Sequence, residues 1–232
     1  MALVMLAEPG RRQRNAVVAI SRTGGIVEYA RPSEDSCVRA FQEWVAATLG
    51  VDFAYRVVDI NIDADWIDVA VLDGLPHVES AILDWDQPGG PVFANVLARL
   101  PGLNDLCISR TTEFTVADVL TLQRLPRLKK LKLHFVDDRR AVDVVRAIVQ
   151  VEQLCDLFVT CPRLTSDMVA ILSKAKGLER LTVFVTEGES PAGARQLQEA
   201  LPACSVVHST APLTMTLRRA EGMAVPSKAF EP

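Results

Sequence analysis

A repeat dominates this chain and limits the folds open to it. Leu-Pro precedes an apolar triplet in LPHVESAIL (75–83), LPGLNDLCI (100–108), LPRLKKLKL (125–133) and, more loosely, LPACSVVHS (201–209). Each fits the frame LxxLxL. VEQLCDLFV (151–159) and AKGLERLTV (175–183) fit it without the Leu-Pro, and YRVVDI (55–60) fits it upstream. The frames start at Tyr55, Val78, Leu103, Leu128, Leu154, Leu178 and Cys204, at intervals of 23, 25, 25, 26, 24 and 26 residues. Self-similarity at a fixed period of this size marks a stacked array, in which one unit cannot bury its apolar face alone and the terminal units are degenerate.

Each unit contains two kinds of pattern. The end of the frame alternates apolar and polar residues, as a strand buried on one face requires. The second half is helical in period: Phe114, Val119, Leu122 and Leu125 in one unit, with Thr115 as N-cap. Val142, Val145, Ile148, Val149 and Val151 repeat the pattern, as do Leu164, Met168, Val169, Ile171 and Leu172, and Gly177 sits where a helix hands over to the next strand.

These residues resemble leucine-rich repeats. FTVADVLTL (114–122) and LTSDMVAIL (164–172) are similar to the ITDxGLxxL segment of the ribonuclease-inhibitor-like and cysteine-containing subclasses. Asp118 and Met168 stand where those repeats usually carry Gly, and no Asn ladder follows the strands. The resemblance spans residues 55–209. It implies an α/β solenoid with a parallel concave sheet, convex helices and an N-terminal α-β-α cap, and it implies protein binding as the function.

Residues 11–54 precede the repeat. Ala16, Val17, Ala19 and Ile20 share one side of a short helix ended by Gly24-Gly25, and IVEY reads as a strand. An amphipathic helix follows, with Cys37, Val38, Phe41, Trp44, Val45 and Leu49 on one face and Gly50 as its stop. A repeat stack leaves apolar surface bare at its ends, so this segment is expected to cap the first unit. It also resembles the N-terminal part of a group of bacterial leucine-rich-repeat proteins that occur in large paralogous sets, some with a membrane helix before the basic segment. MALVMLA is too short to be one. The expected organisation is a disordered start (1–10), the cap (11–54), a solenoid of about seven repeats (55–210) and a flexible tail (211–232).

Composition narrows the function classes. With Lys+Arg 25 against Asp+Glu 29 the chain has net charge -4, so no global basic field draws it to nucleic acid or an anionic membrane. Five cysteines form no CxxC and no even-numbered framework, which fits free thiols in a reducing compartment and a cytoplasmic location. Neither RTGGI nor QPGGP has phosphate-loop spacing. No cofactor is expected.

In an LxxLxL unit the third, fifth and seventh positions point out of the concave sheet. That assigns outward positions to Val57, Asp59 and Asn61; Ser80, Ile82 and Asp84; Asp105, Cys107 and Ser109; Lys130, Lys132 and His134. Asp156, Phe158 and Thr160, then Arg180, Thr182 and Phe184, and finally Val206, His208 and Thr210 complete the face. A mixed polar and aromatic surface suits protein recognition. The expected contact residues are Asp59, Asp84, Trp85, Asp105, Lys130, Lys132, Phe158, Arg180 and Phe184, with Trp85 read either as a strand-end packing residue or as an exposed anchor.

RLPRLKKLKLHF (124–135) raises a nucleic-acid reading, but only Lys130 and Lys132 share the outward face, with Asp105 and Asp156 on the flanking strands. Two lysines are too few for several phosphate contacts. Zinc would need Cys155, Cys161, His134, His208 or Cys107, without the usual close-spaced pairs. Cys107 and His134 fall on adjacent strands with Asp105 and Asp156 nearby, a triad-like arrangement that an open sheet leaves without a water-excluding pocket. The expectation is a non-enzymatic module with an unidentified protein partner, no nucleic acid and no membrane. Self-association through the helices or a repeat end is the rival.

Overall fold

A computed structural model describes residues 2–63, 68–85, 90–109, 111, 114–135, 138–187 and 191–209. Eight strands form one open sheet in sequence order: β1 (Ile26–Tyr29), β2 (Val57–Asp63), β3 (Ser80–Asp84), β4 (Asp105–Ser109), β5 (Lys130–His134), β6 (Asp156–Cys161), β7 (Arg180–Val185) and β8 (Ser205–Ser209). Strands β2 to β8 are mutually parallel, and β1 joins β2 antiparallel. The helices alternate with them. They are α1 (Ala2–Arg22), α2 (Ser36–Leu49), α3 (Val51–Ala54), a 3-10 helix (Val69–Gly74), α4 (Pro91–Ala98), α5 (Val116–Leu122), α6 (Asp138–Ile148), α7 (Ser166–Leu172) and α8 (Pro191–Ala200). Helices α4 to α8 each touch the next, so they line one face of the sheet and leave the other open. Alternating strand and helix units on a mostly parallel, open sheet are compatible with a repeat solenoid.

The Leu-Pro signature has a local cause. In each such unit a turn closes through the N–H of the first frame residue and the carbonyl of the Leu before Pro: Leu103 to Leu100, Leu128 to Leu125 and Cys204 to Leu201. Proline occupies the second turn position, where its fixed φ is pre-set and no N–H is needed. A carbonyl just before each strand then accepts two N–H groups from the next unit. Asn104 O takes those of Lys129 and Lys130, Lys129 O takes those of Cys155 and Asp156, and Cys155 O takes those of Glu179 and Arg180.

Leu128, Leu131 and Leu133 are fully buried, as are their counterparts in neighbouring units. Helix α6 packs through Ala141, Val144, Val145 and Ile148, leaving Val142 and Val149 at the margin of the core.

Both terminal frames need correction. Register pairs Ile60 with Ala81, so the first unit begins at Val57, not Tyr55, and its inward residues are Val57, Ile60 and Ile62. A shift of two preserves the faces of Asp59 and Asn61, whereas Val57, expected outside, is buried. The last unit slips by one. Leu181 pairs with Val206, so Ser205, Val207 and Ser209 point outward and Val206 and His208 turn inward. The segment between Cys204 and β8 is one residue shorter than its counterparts, and a one-residue change flips every side chain of a strand. Thr210 and the tail at 211–232 lie outside the described residues.

The cap also differs from expectation. Helix α1 starts at Ala2, well before residue 11, and the capping expected of the whole helix–strand–helix segment falls mainly to α1. Buried Gln13 donates to the carbonyls of Asp52 (3.0 Å) and Tyr55 (2.7 Å) and accepts from Val57 N (3.2 Å). Ala16 and Ile20 enter the core beside it. Gly10 lets Phe53 approach, since a Cβ there would sit 2.4 Å from the ring. In α2 only Val45 is buried, and its substantial packing among the described elements is with α3.

Asp118 explains the missing glycine of its repeat. Its buried carboxylate accepts from Thr115 N (2.8 Å), Thr115 Oγ1 (2.7 Å) and Gly90 N (2.8 Å), joining the start of α5 to the entry of α4.

Two substitutions test this packing by urea denaturation. Leu131→Ala should lower unfolding free energy by roughly 2–5 kcal/mol, as buried Leu truncations do. Asp118→Ala leaves three donors without their acceptor and should cost about 2–3 kcal/mol.

Candidate functional site: the open face of the sheet

Because the strands run in register, outward side chains fall into three rows. The first reads Glu28, Asp59, Ser80, Asp105, Lys130, Asp156, Arg180 and Ser205. The second reads Asn61, Ile82, Cys107, Lys132, Phe158, Thr182 and Val207. The third runs through Asp63, Asp84, Ser109, His134, Thr160, Phe184 and Ser209. Among the described residues the helices α4 to α8 follow one another on the opposite side, and the rows are set by the backbone register of the strands.

Charge is distributed unevenly. Glu28 lies directly opposite Asp59, two carboxylates facing each other at the β1 end. Burial, with Glu28 and Asp105 adding to it, raises the Asp59 carboxyl above its ordinary value, against lowering by Ser80 and Lys132. Farther along, the first row alternates in sign. Lys132 pairs diagonally with Asp105 at 3.1 Å, and Arg180 pairs with Asp156 at 3.4 Å. The expected pairing of both lysines with flanking acids is therefore half met: Asp156 is taken by Arg180, and Lys130 forms no ion pair among the described residues.

The sheet brings Cys107 and His134 together. Sγ lies 3.8 Å from Nε2, and Nδ1 lies 3.0 Å from Thr160 Oγ1. The Phe158 ring stands against the imidazole, with centroids 5.6 Å apart. Thr111 donates its hydroxyl to the His134 carbonyl. Burial pushes the Cys107 thiol up to about 11, with Lys132 lowering it and Asp105 raising it. Burial also pushes the His134 imidazole down, and Lys132 adds to this. Both partners are thus neutral near pH 7, an arrangement that suits packing and leaves the thiol a poor nucleophile.

Trp85 does not belong to the surface. It is 1% exposed, and its ring meets Phe93 edge-on at 5.3 Å, with Phe114 packed next in line. It leaves the open face because it follows Asp84 by one residue and therefore turns toward the helices. Phe184 keeps its outward register but is only 7% exposed, so little of it can meet a partner. Asp59, Asp84, Asp105, Lys130, Lys132, Phe158 and Arg180 all take the expected face. Glu28 is a further member that the repeat frame could not supply, since β1 is outside the repeat.

The five cysteines form no disulfide, and among the described residues no group of three or more His, Cys, Asp or Glu could hold a metal ion. No helix among them is long and apolar enough to cross a membrane. The fold and this face define an α/β repeat-like protein with an open, charged sheet. No known protein-family description matches the chain, and no curated protein is similar to it.

Cys107 reactivity tests the electrostatics. Alkylation should be slow at pH 7, where a thiol near 11 holds a thiolate fraction of about 10⁻⁴, and should accelerate up to about pH 11. A rate plateau near neutral pH, followed by site-resolved mass spectrometry, would show an activated thiol instead.

Proposed function

We propose that this protein is a non-catalytic binding module of leucine-rich-repeat type, with ribonuclease-inhibitor-like units, that holds a protein partner on the open face of its sheet. The in-register ladder of outward rows carries the proposal. It presents side chains on a scaffold of parallel strands, so a partner loses little affinity to ordering the receptor. The contact set is Asp59, Asp84, Asp105, Lys130, Lys132, Phe158 and Arg180, with Glu28 joining at the β1 end. Lys130 is its least encumbered charge and Phe158 its aromatic anchor.

Nucleic acid is the weaker reading of the same face. Lys132 is already paired with Asp105, leaving Lys130 among carboxylates, where phosphate would meet repulsion. A catalytic reading through Cys107 fares no better, because its neutral thiol sits on an open sheet and not in an enclosed pocket.

The test is partner capture from native lysate with wild type beside a Lys130→Glu/Phe158→Ala/Arg180→Glu variant. Recovery of the main partner should fall at least tenfold in the variant. Equal recovery of every partner would exclude the open face as the binding surface.

A further inference from the structure

Eleven large apolar side chains are exposed among the described residues, and seven of them fall between residues 18 and 51. The segment that closes the N-terminal end of the stack therefore carries most of the large exposed apolar side chains among the described residues, and four of its seven lie on α2. Val38, Phe41, Trp44 and Leu49 are 46%, 63%, 60% and 49% exposed, and the two rings stack with centroids 6.0 Å apart.

We propose that α2 is a dimerisation helix, whose Val38, Phe41, Trp44 and Leu49 stripe packs on the same stripe of a second copy of this chain about a two-fold axis. A helix of 14 residues that packs substantially only against the four-residue α3 is marginal in water. Its N-cap is sound: Asp35 accepts from the N–H groups of Cys37 and Val38 at 2.8 and 3.1 Å. What it lacks is a surface for its apolar face.

Area and charge select the occupant. A buried aromatic side chain covers 150–250 Å², so the exposed fractions of Phe41 and Trp44 leave roughly 200–300 Å² of ring surface in water. Val38 and Leu49 bring the patch to roughly 400–500 Å², the size of the largest apolar patch on a typical monomer, which is often functional. Two such patches remove on the order of 1,000 Å² once Cys37 and Thr48 at the rim are included, the lower bound for a specific interface and the size of a weak, concentration-dependent dimer. The stripe carries no charge. At 100° per residue, Arg39 and Glu43 lie on the far side of the helix, and the Arg39 guanidinium is tied to the carbonyls of Ser33 and Glu34 at 3.0 and 3.1 Å.

An anionic lipid surface would call for lysines and arginines flanking the apolar stripe. Here Arg39 is accompanied by Glu34, Asp35 and Glu43. An uncharged stripe on a helix matches its own copy, and two-fold pairing is the commonest closed assembly.

Light scattering and sedimentation velocity on the full chain, across a hundredfold concentration range, test this directly. Wild type should reach twice 25.4 kDa, and Phe41→Glu/Trp44→Glu should remain a monomer throughout. Leu120→Glu, an exposed apolar site on α5, should dimerise like wild type. Phe41→Ala/Trp44→Ala, a milder pair, should weaken dimerisation at least tenfold, and far-UV circular dichroism checks that the sheet persists in every variant. A wild-type monomer at all concentrations, or a dimer that survives both double substitutions, would overturn the proposal. So would a monomer that cosediments with phosphatidylserine vesicles through Phe41 and Trp44.

Discussion

Everything in this molecule hangs on the junction between one unit and the next, where a single carbonyl ahead of a strand receives two N–H groups from its neighbour. Asn104, Lys129 and Cys155 each fill this role in turn. The junction fixes where the following strand begins, and so which residues face the helices. Once it is set, the parallel ladder propagates, and each new strand buries its alternate side chains over the same layer of helices. In the last unit Glu179 O receives only Ser205 N, because one residue is missing after Cys204. The faces of Val206 and His208 reverse as a result.

The N-terminal end shows what such a stack requires. Its first unit has no preceding neighbour, and the vacancy is filled by α1, with β1 adding an antiparallel edge. Gln13 is central, because its side-chain amide donates to the carbonyls of Asp52 in α3 and Tyr55 at its end and accepts from the N–H of Val57 at the start of β2. Close approaches at Gly10 and Gly74 let α1 lie against Phe53 and the 3-10 helix. With that space occupied, α2 is displaced from the core, and its apolar stripe faces outward. Tyr29 adds a polar tie, donating to Asp52 at 2.6 Å, and burial together with that carboxylate raises its phenol above the ordinary value.

The open face draws its character from the same geometry. Register converts single positions of each repeat into rows, so charges far apart in sequence become neighbours. Asp105 and Lys132, or Asp156 and Arg180, meet only because their strands are adjacent. The exposed pairs contribute modestly to stability. They shape the surface that a partner would meet, acidic toward β1 and mixed in sign toward β8.

Much of this was legible in the residues themselves. Leu128, Leu131 and Leu133, the Leu-Pro turns and the helical spacing of Val119 and Leu122 announce strand and helix units at a 25-residue period, because burial on one face imposes periods of 2 and 3.6 on any sequence that obeys it. The central faces follow from that alone, including the proximity of Cys107 and His134. Degenerate ends were not legible, since Tyr55 satisfies the frame almost as well as Val57, and Cys204 satisfies it with or without the residue that is missing after it. Nor could pattern decide which of two amphipathic helices caps the stack. Both α1 and α2 present apolar faces, and only tertiary structure settles the choice, because one space at the end of a sheet admits one helix and the Gln13 hydrogen bonds fit α1.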